Sequence, residues 1–418
     1  MKTICHSAFK ALILLAITCV SAKAAEFRTW TSIQGSSIEA QLVSYKEGNV
    51  NLTTKEPKPI KLKVTDLSLA DRQYLVEFAD ADEDLLYKSP LTTPEHQYRK
   101  PKDFIKKLEE QMILADLELE FDLYETEHFF FACAKGVNPK GIAETAEACW
   151  HGMAFQHYEF RENWGPTKYL VILPEDREQY TMIGGLAVAQ LQATGQQGQA
   201  QAQNLAQTWN LTGSNRLLLP RNVVEKHKLK AVGSVFNTVD SKNYRKKFNS
   251  FQTHVISNVL FTVQMGVLSP TSNGQFAIST GHAYYKEIQL SKKTETNLIS
   301  QDYEEGIGSK SGFKDGTSWA KSLRSMVRKG ELEPNILEIL AIKQSNELTP
   351  PKLVTMYALS SYLQSSQKRI ANYATFVRLT NSSKQIPAPS EMANIFGFDS
   401  VEDFQADWVE FIKSRDFK

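Results

Sequence analysis

His254-Val255-Ile256-Ser257-Asn258 sets one imidazole in an apolar stretch, Ser250 to Gly266 (SFQTHVISNVLFTVQMG), that reads as a helix. Positions four apart share a helical face. When both are histidine and a glutamate follows the first, two neutral imidazoles bind zinc and the carboxylate polarises a metal-bound water. This chain keeps only the first histidine. Val255 stands where the base would be and cannot take a proton. Asn258 stands at the second ligand, and a carboxamide is a poor zinc ligand. A lone histidine in an apolar helix is otherwise an ordinary core residue, so the neighbouring elements must decide.

Downstream, Ile278 to Glu287 reads ISTGHAYYKE, spaced for a loop and a second, antiparallel helix. Gly281 and Ala283 are small enough for two helices to approach closely. Gly281, Ala283 and Tyr285 resemble the Glu-Gly-x-Ala-x-Tyr pattern of gluzincin peptidases, whose glutamate is the third zinc ligand; Thr280 occupies that position here. The resemblance implies a peptidase scaffold with no catalytic residue and no metal or other cofactor. His254, Val255, Asn258 and Thr280 would be its former metal-site positions. The alternative is a pair of ordinary core helices. A displaced metal on His254 would need His282 or Glu287, and position 282 lies about 200° around the helix from 280.

The other histidines offer no ligand pair by spacing. His151 and His157 are six apart and diverge on a helix. His128 falls in an apolar run, FFF, that reads as a buried strand, and His227 in a basic surface stretch.

Residues 1–24 read as a secretory signal: Lys2 and Lys10, an apolar core from Ala11 to Val20, and Ala22-Lys23-Ala24 for cleavage. The core is too short to span a membrane comfortably. Beyond it lie 45 basic and 47 acidic residues, with no block of charge suited to nucleic acid. Cys133 and Cys149 are the remaining cysteines, free to pair or to stay buried thiols.

Residues 25–78 alternate apolar and polar in short runs, with Gly35 and Gly48 at turns, which predicts a small antiparallel barrel. Ser68, three before Asp71, caps a short closing helix. Arg28-Thr29-Trp30-Thr31, Gly35, Ile38-Glu39-Ala40, Leu67-Ser68, Asp71 and Tyr74-Leu75 resemble the Sla-homology domain of the first type (SHD), an SH3-like barrel. That resemblance implies peptide binding, for which Trp30 and Tyr74 are the candidate surface; core packing is the other role open to both aromatics.

Residues 79–100 form an acidic, proline-broken linker. From Asp103 the spacing of Phe104, Leu108 and Met112 predicts a helix. Leu117 to Tyr124 and Thr126 to Phe131 read as strands, Lys140 to His157 as a helix, and Lys168 to Pro174 as a strand. Residues 189–208 are rich in glutamine and alanine and read as a flexible or weakly helical insertion. From Thr317 the chain is helical: Thr349-Pro350 starts one helix, and Ser400 caps the last, with Phe404, Trp408, Phe411 and Ile412 on one face. Residues 101–314 would be the gluzincin-like α+β domain and 315–418 a helical subdomain, whose tail also resembles peptidase-MA-like proteins.

The fold expected is thus multidomain: a small all-β SH3-like barrel and an α+β domain with a helical C-terminal half. The function expected is that of an exported pseudopeptidase binding protein or peptide in the cell envelope, with no nucleic-acid partner and no membrane span after signal removal. A peptidase with a displaced metal and a purely structural envelope protein are the alternatives.

Overall fold

The computed structural model describes residues 26–32, 36–79, 81, 98–157, 160–209, 214–218, 227, 229, 232–236, 241–266, 272–296, 313 and 316–418. The segment read as a signal, Gly35 and most of residues 79–100 lie outside these residues. No helix among them is long and apolar enough to cross a membrane.

The N-terminal unit is an antiparallel sheet of β1 (Arg28–Thr31), β2 (Ser37–Lys46), β3 (Asn49–Thr53) and β4 (Pro59–Lys63), paired in that order. Glu47 and Gly48 both take positive φ, 51° and 75°, giving the two-residue turn that suits a twisted hairpin. The sheet curls back on itself: Leu67 bridges to Ser32, and the Ser68 N–H donates to the Thr31 carbonyl at 2.8 Å. Helix α1 (Leu69–Phe78) is capped by Ser68, whose hydroxyl accepts from the Asp71 N–H. The buried Asp71 carboxylate in turn accepts from the Thr31 N–H at 2.7 Å and pairs with Arg28 at 2.8 Å, locking helix to sheet. Trp30, Ala40, Val50, Leu52, Val64, Leu67 and Leu75 form a core of their own.

A six-stranded sheet follows: β5 (Lys106–Leu114), β6 (Leu119–Glu125), β7 (Phe129–Cys133), β8 (Tyr169–Leu173), β9 (Ser214–Leu218) and β10 (Val232–Phe236), in the order β5-β6-β7-β8-β10-β9. β7, β8 and β10 run parallel at its centre, with antiparallel pairs at both edges. β7 and β8 are buried at every residue, as central parallel strands must be. Their crossover contains α2 (Lys140–Gln156) and α3 (Phe160–Trp164). α4 (Arg177–Gln192) and α5 (Gln196–Thr208) form a pair after β8.

Two expectations are corrected here. Residues 106–114 are a strand, not a helix. Phe104, Leu108 and Met112 are four apart, a spacing that also fits a two-residue period; Leu108, Glu110, Met112 and Leu114 share one face of β5, which pairs with β6 through a register shift after Lys107. The glutamine-rich segment, read as flexible or weakly helical, is the last turn of α4 and the whole of α5, and it is packed: Gly198, Ala202 and Trp209 are buried along one side.

The helices α6 (Ser250–Met265) and α7 (Gln275–Ser291) pack together. The C-terminal half adds α8 (Trp319–Lys329), α9 (Ile336–Ala341), α10 (Pro350–Leu363), α11 (Gln367–Ser383), α12 (Pro389–Ile395) and α13 (Val401–Lys413). Thr349 and Ser400 cap α10 and α13, and Phe404, Trp408, Phe411 and Ile412 are the buried face of α13. Twelve of the sixteen residues of α6 are buried. Val255, Ile256, Val259 and Leu260 belong to the sheet's core, Phe261 and Met265 to the helical core. α6 is therefore the element common to both.

Gly281 does serve a close helix approach, and the helix it meets is α10: a Cβ there would overlap the Met356 carbonyl and the Ser360 hydroxyl. Gly281→Ala should cost about 1–3 kcal/mol and lower Tm by roughly 2–4 °C per kcal/mol. Gly185→Ala, on α4 with nothing near its Cβ, should be neutral or stabilising by up to about 1 kcal/mol. Thermal melts of the two variants check this; equal effects would contradict the packing described.

Candidate functional site

His254 sits in the second turn of α6, buried between the two cores. Its Nδ1–H donates to Oε2 of Glu287 at 2.9 Å, from the last turns of α7. Glu287 is fully buried. Its Oε1 accepts from the Ser250 hydroxyl and from the Thr296 hydroxyl at 3.1 Å. Ser250 Oγ also accepts the Glu295 N–H at 2.5 Å. The ring of Tyr284 packs edge-on to His254 at 4.5 Å, and its hydroxyl donates to the Thr296 carbonyl at 2.9 Å. The pair is thus enclosed by one serine, one threonine and an aromatic face.

This register separates the positions of the zinc-peptidase pattern. Glu287 and Tyr284 lie across from His254, while further along α6 Phe261 meets the ring of His282 at 4.9 Å. Thr280 lies two turns before Glu287, about 10 Å along the axis. Asn258 is half-buried and Val255 is buried in the sheet's core. Among the described residues the partner of His254 is Glu287, not Asn258 or Thr280. Sequence reasoning weighed Glu287 only as a metal ligand; its place in a buried bond to His254 follows from packing that one sequence does not display.

One turn on, α2, α6 and α7 enclose a second polar layer. Lys286 donates to Gln156 Oε1, and Gln156 Nε2 and Gln289 Nε2 both donate to the Tyr285 hydroxyl, at 3.4 and 2.7 Å. The rings of His157 and His282 lie 5.7 Å apart. Both nitrogens of His282 are buried without a hydrogen-bond partner among the described residues. Burial first, and the Lys286 charge second, hold both histidines well below their usual range. Burial also pulls Lys286 down to about 7. Cys149, beside Ser257 at 3.8 Å, is pushed up to about 12 by burial. Cys149 and Cys133 are both free thiols, buried and unreactive in character.

The candidate peptide surface of the N-terminal unit divides. Trp30 is 1% exposed and its indole N–H donates to the Ala40 carbonyl at 3.0 Å, so it is a core residue and not a surface. Tyr74 is half-buried, edge-on to Trp30 and stacked on Phe78 at 4.7 Å, with the Arg28 guanidinium 4.1 Å over its ring. Phe78, stacked on Tyr74, is 59% exposed.

The donors that do converge lie elsewhere. Glu127, His128, Glu147 and His151 each bring one ligand atom to within 4.8 Å of the others. Sequence reasoning compared His151 with His157 and set His128 apart. The signal it missed was Glu147 and His151, four apart on one face of α2, opposite a Glu-His pair opening a strand.

No family model, curated protein or solved structure matches this chain.

Lys286 gives this region a pH signature. Its lowered folded value means that the unfolded chain binds the extra proton between about pH 7 and 10.5, so stability rises with pH across that window. Below pH 7 the whole cost of burying the ammonium is present, on the order of several kcal/mol. Lys286→Met should raise stability at pH 6 and flatten its rise between pH 7 and 10. Urea unfolding at several pH values measures both; an unchanged slope would mean that Lys286 is solvated.

Proposed function

We propose that the chain is an exported, non-catalytic pseudopeptidase that binds protein or peptide in the cell envelope. The observation that carries the reading is that, among the described residues, His254 meets one group of ligand type, Glu287, and none from positions 258 and 280. A catalytic zinc takes three protein donors and keeps an open position. Here Glu287 takes the Nδ1–H of His254, and positions 258 and 280, an asparagine and a threonine, supply neither of the two further ligands that the zinc pattern needs. Val255 leaves no base beside them. The signal-like residues 1–24 support export.

The barrel supports binding. Tyr74 and Phe78, flanked by Arg28, offer an aromatic and cationic surface of the kind that anchors peptide partners. The SHD resemblance points to the same role. Trp30 contributes by holding Tyr74 from beneath.

Two assays of the full chain test the proposal. Incubated with a mixed peptide library and zinc, it should release no fragments above a chelator-treated control. Immobilised, it should retain envelope polypeptides, and Phe78→Asp should weaken that retention by roughly tenfold or more. Chelator-sensitive hydrolysis lost in His254→Ala would overturn the non-catalytic reading. Retention indifferent to Phe78→Asp would remove the barrel from the binding role.

A further inference from the structure

The turn into β7 and the middle of α2 meet at four side chains. Glu147, buried on α2, holds residue 128 twice: its Oε1 accepts the His128 backbone N–H at 2.9 Å, and its Oε2 accepts the His128 Nδ1–H at 2.8 Å. With Nδ1 committed, the other nitrogen of His128 faces Glu127, 3.7 Å from Oε1. His151, one turn beyond Glu147, brings Nε2 to 3.7 Å from Glu127 Oε2 and 3.8 Å from Glu147 Oε2. That nitrogen is buried and has no hydrogen-bond partner among the described residues.

Hydrogen bonding leaves this arrangement unfinished. Two carboxylates and an unpartnered imidazole nitrogen surround a point that a cation would satisfy. Tetrahedral zinc at its usual bond lengths sets its ligands about 3.3–3.4 Å apart. The two contacts to Glu127, both 3.7 Å, exceed that by a few tenths of an ångström, and the whole group lies within 4.8 Å. Glu127, whose side chain is 65% exposed, can close the difference by rotation. The two imidazoles are already fixed: His128 is stacked flat on Trp150, and His151 on Tyr98 at 4.8 Å. A carboxylate that takes the far N–H of a ligating histidine is the recurrent outer partner of bound metals, and Glu147 stands in that relation to His128.

We propose that Glu127, His128 and His151 bind one divalent transition-metal ion, zinc by preference, with Glu147 orienting His128. The donors are imidazole and carboxylate without thiolate, a set that favours zinc over softer ions such as Cu(I). The ion would tie the opening of β7 to α2, with its remaining position toward solvent beside Glu127. The site shares no residue with the His254–Glu287 pair and does not depend on the non-catalytic reading.

The test is a competition titration of the full tag-free chain with zinc and a chromophoric chelator. One zinc per chain is expected. His128→Gln and His151→Gln should each weaken it by at least roughly 100-fold, and Glu147→Gln by about 10–100-fold. Glu127→Gln, on an exposed side chain with little folding role, should also weaken it, which keeps the test informative if a buried variant misfolds. His254→Gln should leave it unchanged. Absence of stoichiometric zinc at micromolar concentration would overturn the proposal, as would binding that survives both His151→Gln and Glu127→Gln. Zinc lost in His254→Gln and kept in His151→Gln would overturn this site and the closed helix pair together.

Discussion

A helix buried over most of its surface can keep a polar side chain in its interior only if another buried group answers it. α6 is such a helix, and the bond from His254 to Glu287 is the answer at its N-terminal end. An unpaired carboxylate at the depth of Glu287 would cost several kcal/mol. Ser250 and Thr296 complete its shell, so the pair fixes three things at once: the start of α6, the end of α7 and the chain that leaves α7. Because α6 belongs to both large cores, the register it sets with α7 is felt in the sheet and in the helical half.

The rest of the interior follows from that register. With Glu287 opposite His254, Lys286 and His282 point toward α2, where Gln156 and His157 meet them. Gly281 then faces α10 and lets its backbone come close. The same register carries Thr280 away from His254. The histidine–glutamate bond between the two helices needs no ion to stay closed.

The sequence displayed the fold where local chemistry was unambiguous. Ser68, Thr349 and Ser400 read as caps and are caps, and the all-apolar runs of β7 and β8 could only be buried strands. It misled where two periods coincide, as at Phe104, Leu108 and Met112, since a spacing of four serves a helix and a strand alike. It also misled where composition stood in for pattern: the stripe Gly198, Ala202 and Trp209 was present among the glutamines. The site was half legible. His254 was found from its helix, but the partners of His254 and the convergence of His128 with His151 depend on pairs of elements far apart in the chain. Neither could be read from spacing within one element.

The most direct measurement is anomalous diffraction at the zinc edge from crystals of the full chain grown with one equivalent of zinc. The helix pair should show no anomalous peak, with His254 Nδ1 within hydrogen-bond distance of Glu287 and the density between them empty. A peak bridging His254 and Glu287 would contradict the account, because it would make the pair a metal site.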